Sequence, residues 1–195
     1  MDVVRESRAG DDFHLLWAAR RALTLVDPRS ELQLMRLEGL VPADAPEADD
    51  RFLGVDLSEY YAGEELRTAR AVVVTQLKYS VRHPERRWTA ARLTARTSRR
   101  GASVLRRLAD IFAGLVDEMD GDVQTVVSKV RVRLVSNQAA AATLIEALSA
   151  AQSVLTKVPV GTPMARISRT LPAQHRPTIT RLQKHSGLQS QLFAD

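Results

Sequence analysis

Between positions 70 and 80 the chain reads RAVVVTQLKYS, a run that restricts the fold tightly. Valine and threonine carry two heavy atoms on Cβ, which stiffens χ1 and favours a pleated strand over a helix. Successive strand side chains point to opposite faces. Val72, Val74, Gln76 and Lys78 therefore share one side, and Val73, Thr75 and Leu77 share the other. Valines on both sides require a strand buried beneath helices. Gln76 and Lys78 then bring an amide and an ammonium to the same edge of that strand.

The neighbouring segments supply partners for it. Residues 10–26 place Phe13, Leu16, Trp17, Ala19, Leu23 and Val26 near one helical face, with Arg20 and Arg21 largely outside it. Asp11 and Asp12 fall in the expected first turn, where the helix dipole favours negative charge, and Pro28 ends the helix. Residues 31–40 alternate as a strand, with Leu32, Leu34 and Arg36 against Gln33, Met35 and Leu37, and close on Glu38-Gly39. VPADAPEADD is a loop; residues 51–63 then form a second strand, with Val55 and Leu57 on one face and Asp56 and Ser58 on the other. Residues 51–80 thus read as a hairpin. A short helix over 86–95, a main helix over 100–119, a strand over 127–137 and a helix over 138–156 follow. The proline-bearing stretch 159–177 reads as a linker, and the last residues begin a helix that stops at SGL. The order helix, three strands, helix, strand, helix is that of an α/β fold without internal repeats.

Composition narrows the chemistry. Zero cysteines exclude disulfides, thiolate zinc sites and cysteine nucleophiles, so any metal is held by oxygen or histidine. No run of about 18 apolar residues and no signal-peptide pattern is seen, which makes the cytoplasm the expected location. A net charge of +5 permits a polyanionic partner. Of 28 basic residues only Lys78, Lys129, Lys157 and Lys184 are lysines. Lys78 is a compact point charge in a chain that otherwise uses arginine. No phosphate-cradling glycine loop, HExxH or nucleophile elbow is present.

If the three strands lie side by side, Asp56, Gln76, Lys78 and Glu38 can meet. Carboxylate and carbonyl oxygens suit Mg²⁺, and a lysine beside it can orient water and stabilise charge growing on a phosphate. Asp56 in GVDLS and Gln76-Leu77-Lys78 in TQLKYS, on consecutive strands after an amphipathic helix, give the pattern D…QxK. This arrangement resembles the PD-(D/E)xK restriction-endonuclease-like superfamily. More narrowly, GDDFHLLWAARRAL, RLEGLVPAD, GVDLSEY, QLKYS and VRLVSN, in this order, are similar to the N-terminal double-stranded-DNA nuclease domain of bacterial antiphage effectors, CD-NTase-associated proteins and AVAST-type STAND NTPases, a resemblance that covers roughly residues 8–157.

The resemblance implies an αβββαβ core with a mixed central sheet flanked by helices and a C-terminal helical extension. It divides the chain into a nuclease-like domain at 1–157 and a linker with the start of a following helical region at 158–195, as part of a longer protein. It implies Mg²⁺- or Mn²⁺-dependent hydrolysis of duplex DNA in antiphage defence, with no membrane partner and with oligomerisation through regions outside this chain. Asp56, Gln76 and Lys78 are then catalytic, and Asp56, Gln76 and Glu38 hold the metal. Two features depart from the pattern: Gly54-Val55 precede Asp56, so the literal PD is absent, and a neutral amide replaces the usual acid at position 76. The second keeps open a catalytically inactive basic module that binds DNA or protein with the same fold. His14 is open between a packed or capping residue and an active-site contact. Arg99, Arg100, Arg106 and Arg107 are open between a solvated helix face and DNA-backbone contact, and Ser136-Asn137 between a functional strand end and a helix cap.

Overall fold

The computed structural model describes residues 2–45, 49–96, 101–159 and 162–188. The elements in chain order are α1 (Asp2–Ala22), β1 (Leu32–Leu37), β2 (Leu57–Tyr61), β3 (Ala71–Lys78), α2 (Ala90–Thr94), α3 (Val104–Glu118), α4 (Val123–Lys129), β4 (Val130–Ser136), α5 (Ala142–Leu155), α6 (Met164–Thr170) and α7 (Arg176–Ser186). They make an α/β protein with one four-stranded mixed sheet. The chain forms two compact units, one drawn from residues 1–85 and 114–138, the other from 86–113 and 139–195. Among the described residues no helix is long and apolar enough to cross a membrane.

The first unit contains the sheet, ordered β1-β2-β3-β4. β1 with β2 and β2 with β3 run antiparallel, while β3 with β4 runs parallel. β3 is interior because its β-branched residues fit a strand bonded on both sides: Val72, Val74, Thr75, Gln76 and Leu77 are all buried. A parallel pairing needs a crossover connection, here the long path from β3 to β4. One sheet face carries Ser58, Tyr60, Val72 and Val74. Tyr60 Oη accepts from Val41 N at 3.3 Å, and the Ser58 hydroxyl donates to Gly39 O at 2.9 Å. Asp44 accepts from Leu66 N through both oxygens, at 2.8 and 2.9 Å. These bonds pin the two long connections of the hairpin region over the sheet and leave their buried polar groups satisfied.

The opposite face is organised by charge. Glu59, 0% exposed, accepts from Arg21 Nε at 2.6 Å through Oε1, and from Arg133 at 2.5 Å through Oε2. Arg133 Nε also donates to Thr75 Oγ1 at 2.9 Å, and an Arg21 guanidinium nitrogen donates to Tyr61 Oη at 2.8 Å. A carboxylate buried without such partners would lose its hydration with nothing in return. The demand of Glu59 corrects the expected face of α1. Arg21 turns inward with Trp17 and Ala18, while Leu16, about 140° from Arg21 at 100° per residue, and Leu23, just past the end of α1, are left 71% and 69% exposed. α1 also starts at Asp2 rather than near Gly10, so Asp11 and Asp12 lie within it and not in its first turn.

Three further boundaries move for local reasons. β2 begins at Leu57, one residue after Asp56, because Val55 N bonds back to Phe52 O in a turn. The strand expected from residue 127 begins at Val130, since Asp122 caps α4 by accepting from Thr125 N at 3.0 Å. This cap outweighs the alternation of 127–129. The stretch read as a linker contains α6 and the start of α7, with Pro163 at the N-cap of α6 and Pro177 in the first turn of α7. Proline has no N–H to lose there and is accepted at helix starts.

The second unit is helical. Leu144, Ala147 and Ala151 of α5 pack with Met164, Ile167, Leu171, Ile179 and Leu182, seven of these eight being 4% exposed or less. Trp88 is bracketed by backbone bonds to Ala139 and Ala141, and the Arg92 guanidinium lies 4.4 Å from its ring centroid. α7 is capped by Gly187, whose φ of 74° is the left-handed conformation of a helix C-cap.

Two outcomes are expected. Glu59→Ala leaves two guanidiniums without their buried carboxylate and lowers unfolding free energy by about 3 kcal/mol in urea titration. An unchanged midpoint would show that the pairs contribute nothing. Burial raises the Asp44 carboxyl above its ordinary range. A raised folded pKa means a contribution present below the unfolded value of about 4 and lost as pH rises through the folded one. The stability of the wild type relative to Asp44→Asn, which keeps an acceptor for Leu66 N, should therefore decline as pH rises from about 4, as read by urea midpoints.

Candidate functional site

The site is built by continuing the antiparallel ladder past the strand ends. Leu37 lies opposite Leu57, and Leu57 opposite Thr75. One step further, Glu38 N donates to Asp56 O at 3.1 Å and Asp56 N to Thr75 O at 3.0 Å. The register therefore sets Glu38 beside Asp56, and Asp56 beside Gln76, at one end of the sheet. Glu38 takes φ 54° and Gly39 φ 108°, so the chain reverses while Gly39 N still bonds Val55 O at 2.9 Å. A left-handed conformation costs a non-glycine residue roughly 1–2 kcal/mol. Such outliers concentrate where a side chain must be held in one place.

Each carboxylate has its own setting. Glu38 is exposed. The Asp56 side chain is 22% exposed; its Oδ2 accepts from Leu77 N at 2.5 Å and its Oδ1 lies 3.9 Å from His14 Nδ1. Asp56 thus replaces a backbone acceptor for the β3 ladder and keeps one oxygen directed elsewhere. α1 supplies His14 and is tied to the end of β3 by Phe13, whose ring stacks on Tyr79 at 5.0 Å with 25° between planes.

Gln76 is 1% exposed, and its Oε1 is buried without a hydrogen-bond partner. An unpaired buried carbonyl costs about 1–3 kcal/mol. Lys78 follows on the same side of β3, half-buried and opposite Ser136 of β4. Ser136 and Asn137 are occupied at that strand end: Ser136 Oγ accepts from Gln138 N at 3.1 Å, and Asn137 bonds the Ser80 backbone in both directions.

A cleft of about 500 Å³ opens beside the carboxylates, lined by Arg36, Glu38, Asp49, Phe52, Leu53 and Asp56, among others. The residues expected from the pattern are therefore divided. Glu38 and Asp56 share the cleft wall, while Gln76 and Lys78 stand beyond its lining. Asp49 is held below the usual carboxylate range by hydrogen bonds from Arg51, whose Nε and terminal nitrogen approach Oδ2 at 2.9 and 2.7 Å. Arg51 also reaches Asp117 at 2.6 Å, which braces the loop under the cleft. Arg106 and Arg107 lie on α3, and Arg99 and Arg100 fall outside the described residues.

Arg36, Asp49 and His14 are the residues sequence reasoning undervalued. Arg36 stands two residues before Glu38, on the same strand side. His14, Trp17, Ala18 and Arg21 follow the i, i+3, i+4, i+7 spacing of a packed helix face, a signal hidden because two of the four are polar.

Among the described residues no three His, Cys, Asp or Glu side chains form a metal-holding group. The donor set at the sheet end is different in kind: two carboxylates and one amide carbonyl. All are hard oxygen donors, and Gln76 Oε1 is a buried acceptor without a hydrogen-bond partner. By donor chemistry, such a set would suit a divalent cation that takes one or two carboxylates and keeps several waters. No protein-family model and no curated protein matches the chain.

This geometry predicts that Mn²⁺ or Mg²⁺ raises the thermal midpoint of the wild type. At ten times Kd the gain is about 1.4 kcal/mol. Gln76→Met should keep the fold and blunt that response, whereas Gln76→Glu should tighten it. Equal responses in all three proteins, by calorimetry, would remove Gln76 from the site.

Proposed function

We propose that the sheet-bearing unit is a metal-dependent endonuclease domain of the PD-(D/E)xK type, with an αβββαβ core, that hydrolyses phosphodiester bonds of double-stranded DNA. The observation that carries this reading is the register that lines up Glu38, Asp56 and Gln76 across three adjacent strands, with the Gln76 carbonyl buried and unpaired. Asp56 and the Gln76 carbonyl would hold Mg²⁺ or Mn²⁺, with Glu38 assisting. When bound, such an ion supplies Lewis acidity toward a phosphoryl oxygen.

The chain's own residues do the rest. Lys78 orients the attacking water and offers positive charge to the scissile phosphate. The backbone N–H of Leu77 holds Asp56 Oδ2 in place, which fixes the carboxylate before substrate arrives. His14 flanks the other oxygen and limits its rotation. Arg36 supplies a cation on the cleft wall, suited to a neighbouring phosphate of the same strand. The basic net charge assists encounter with duplex DNA. Antiphage defence in the cytoplasm, within an oligomer, is the setting that the sequence resemblance supplies.

A second reading has its own support. Asp56 Oδ2 is already engaged by Leu77 N and position 76 carries no charge, as in a non-catalytic module of the same fold that binds DNA or protein. Plasmid cleavage with Mn²⁺ or Mg²⁺ by an artificially oligomerised chain separates the two. Wild type should nick, and Asp56→Ala and Lys78→Ala should each lose activity by about 10²-fold or more while retaining DNA binding. Equal cleavage by all three proteins sinks the nuclease proposal. Binding without cleavage in the wild type favours the module.

A further inference from the structure

The second unit holds a cavity of a different character. About 530 Å³ in volume, it lies where the α2–α3 connection meets the end of α7. Arg96, Arg106, Lys184 and His185 stand on its wall, with the hydroxyl-bearing Thr94 and Ser103 among them, and among the described residues no carboxylate lines it. Arg106 is paired outside the lining, its Nε 2.7 Å from Asp110 Oδ1.

The charge does not cancel. Asp110 removes one unit, and the carbonyl end of α7 is worth about half an elementary charge. Arg96, Arg106 and Lys184 supply three. About one and a half positive charges remain before His185 or the start of α3 at Val104 is considered. The arrangement is also sterically set. A Cβ on Gly187 would fall within the Arg106 guanidinium, so the left-handed glycine that caps α7 is what lets that arginine lie against the helix end. The Ser103 hydroxyl accepts from Arg106 N at 3.1 Å and fixes the first turn of α3 on the wall.

We propose that this cavity binds the phosphate group of a small phosphorylated ligand of nucleotide size. Its volume lies within the roughly 300–1,000 Å³ of small-molecule sites. Arginine forks match phosphate oxygens in bidentate fashion, and a lysine adds a point charge. The small residues Gly101 and Ala102 on the wall leave room for the anion. A concave wall suits a compact ligand better than the extended basic stripe by which a duplex is gripped. This site uses no residue of the proposed nuclease centre.

Isothermal titration of the full chain with 5′-adenosine monophosphate and with inorganic phosphate, in low-chloride buffer, tests it. Arg96 and Lys184 are exposed, so Arg96→Ala with Lys184→Ala should leave the fold intact, as read by the thermal midpoint. The wild type should bind the mononucleotide, and the double variant should bind at least about tenfold more weakly. Arg96→Lys with Lys184→Arg should recover part of that loss. Heats no larger than those of a chloride control, or unchanged affinity in the double variant, would overturn the proposal. So would a short DNA duplex that binds through these residues while the mononucleotide does not, since the phosphates recognised would then be those of a nucleic-acid backbone.

Discussion

The register of β2 between β1 and β3 is the constraint on which the first unit depends. A slip of one residue on either side would invert the faces of a whole strand. Ser58 and Tyr60 would lose their bonds to the loops, and Glu59 would leave its two arginines. Hydrophobic burial alone is non-directional and would tolerate such a slip more readily than these polar groups do. Specific partners for buried polar side chains therefore fix which residues meet at the sheet end. Glu38, Asp56 and Gln76 are neighbours there because Glu59, three residues after Asp56, has one place to go.

The same constraint explains what could be read from the sequence. Alternation in 71–78 located β3 and assigned Gln76 and Lys78 to one side, since period 2 is a property of the strand itself. The order of helices and strands was legible for the same local reason. The packed face of α1 was not. Its apolar residues point to one stripe, but the buried Glu59 lies on another strand, and its pull on Arg21 is invisible until the sheet is assembled. The prolines at 163 and 177 misled because one residue type ends helices and also begins them.

The chemical marks of the candidate residues were legible and their arrangement less so, since only Glu38 and Asp56 line the cleft. Asp56, Gln76, Lys78 and Glu38 are chemically marked, and the register carries three of them onto adjacent strands. Their spacing along the chain said nothing of the left-handed turn at Glu38, nor of the bond between Asp56 Oδ2 and Leu77 N. Both arise because ladder hydrogen bonding continues one residue beyond the strands, a tertiary event. His14 required the rotation of α1 and so shared the fate of Arg21.

Two of the buried polar positions in this sheet, Glu59 and Gln76, show why an amide at position 76 is physically reasonable. Glu59 is ionisable and fully buried, and it is accompanied by two guanidiniums. A carboxylate at 76 would lie about as deep, one strand from Asp56, where like charges at short range raise the cost of ionising both. Burying a neutral amide costs only a few kcal/mol, against far more for an unpaired ion. Gln76 thus keeps an oxygen donor at the sheet end without a standing charge that needs its own arginine. For the proposed cation, the missing charge would lower affinity, while the fold without one is easier to hold.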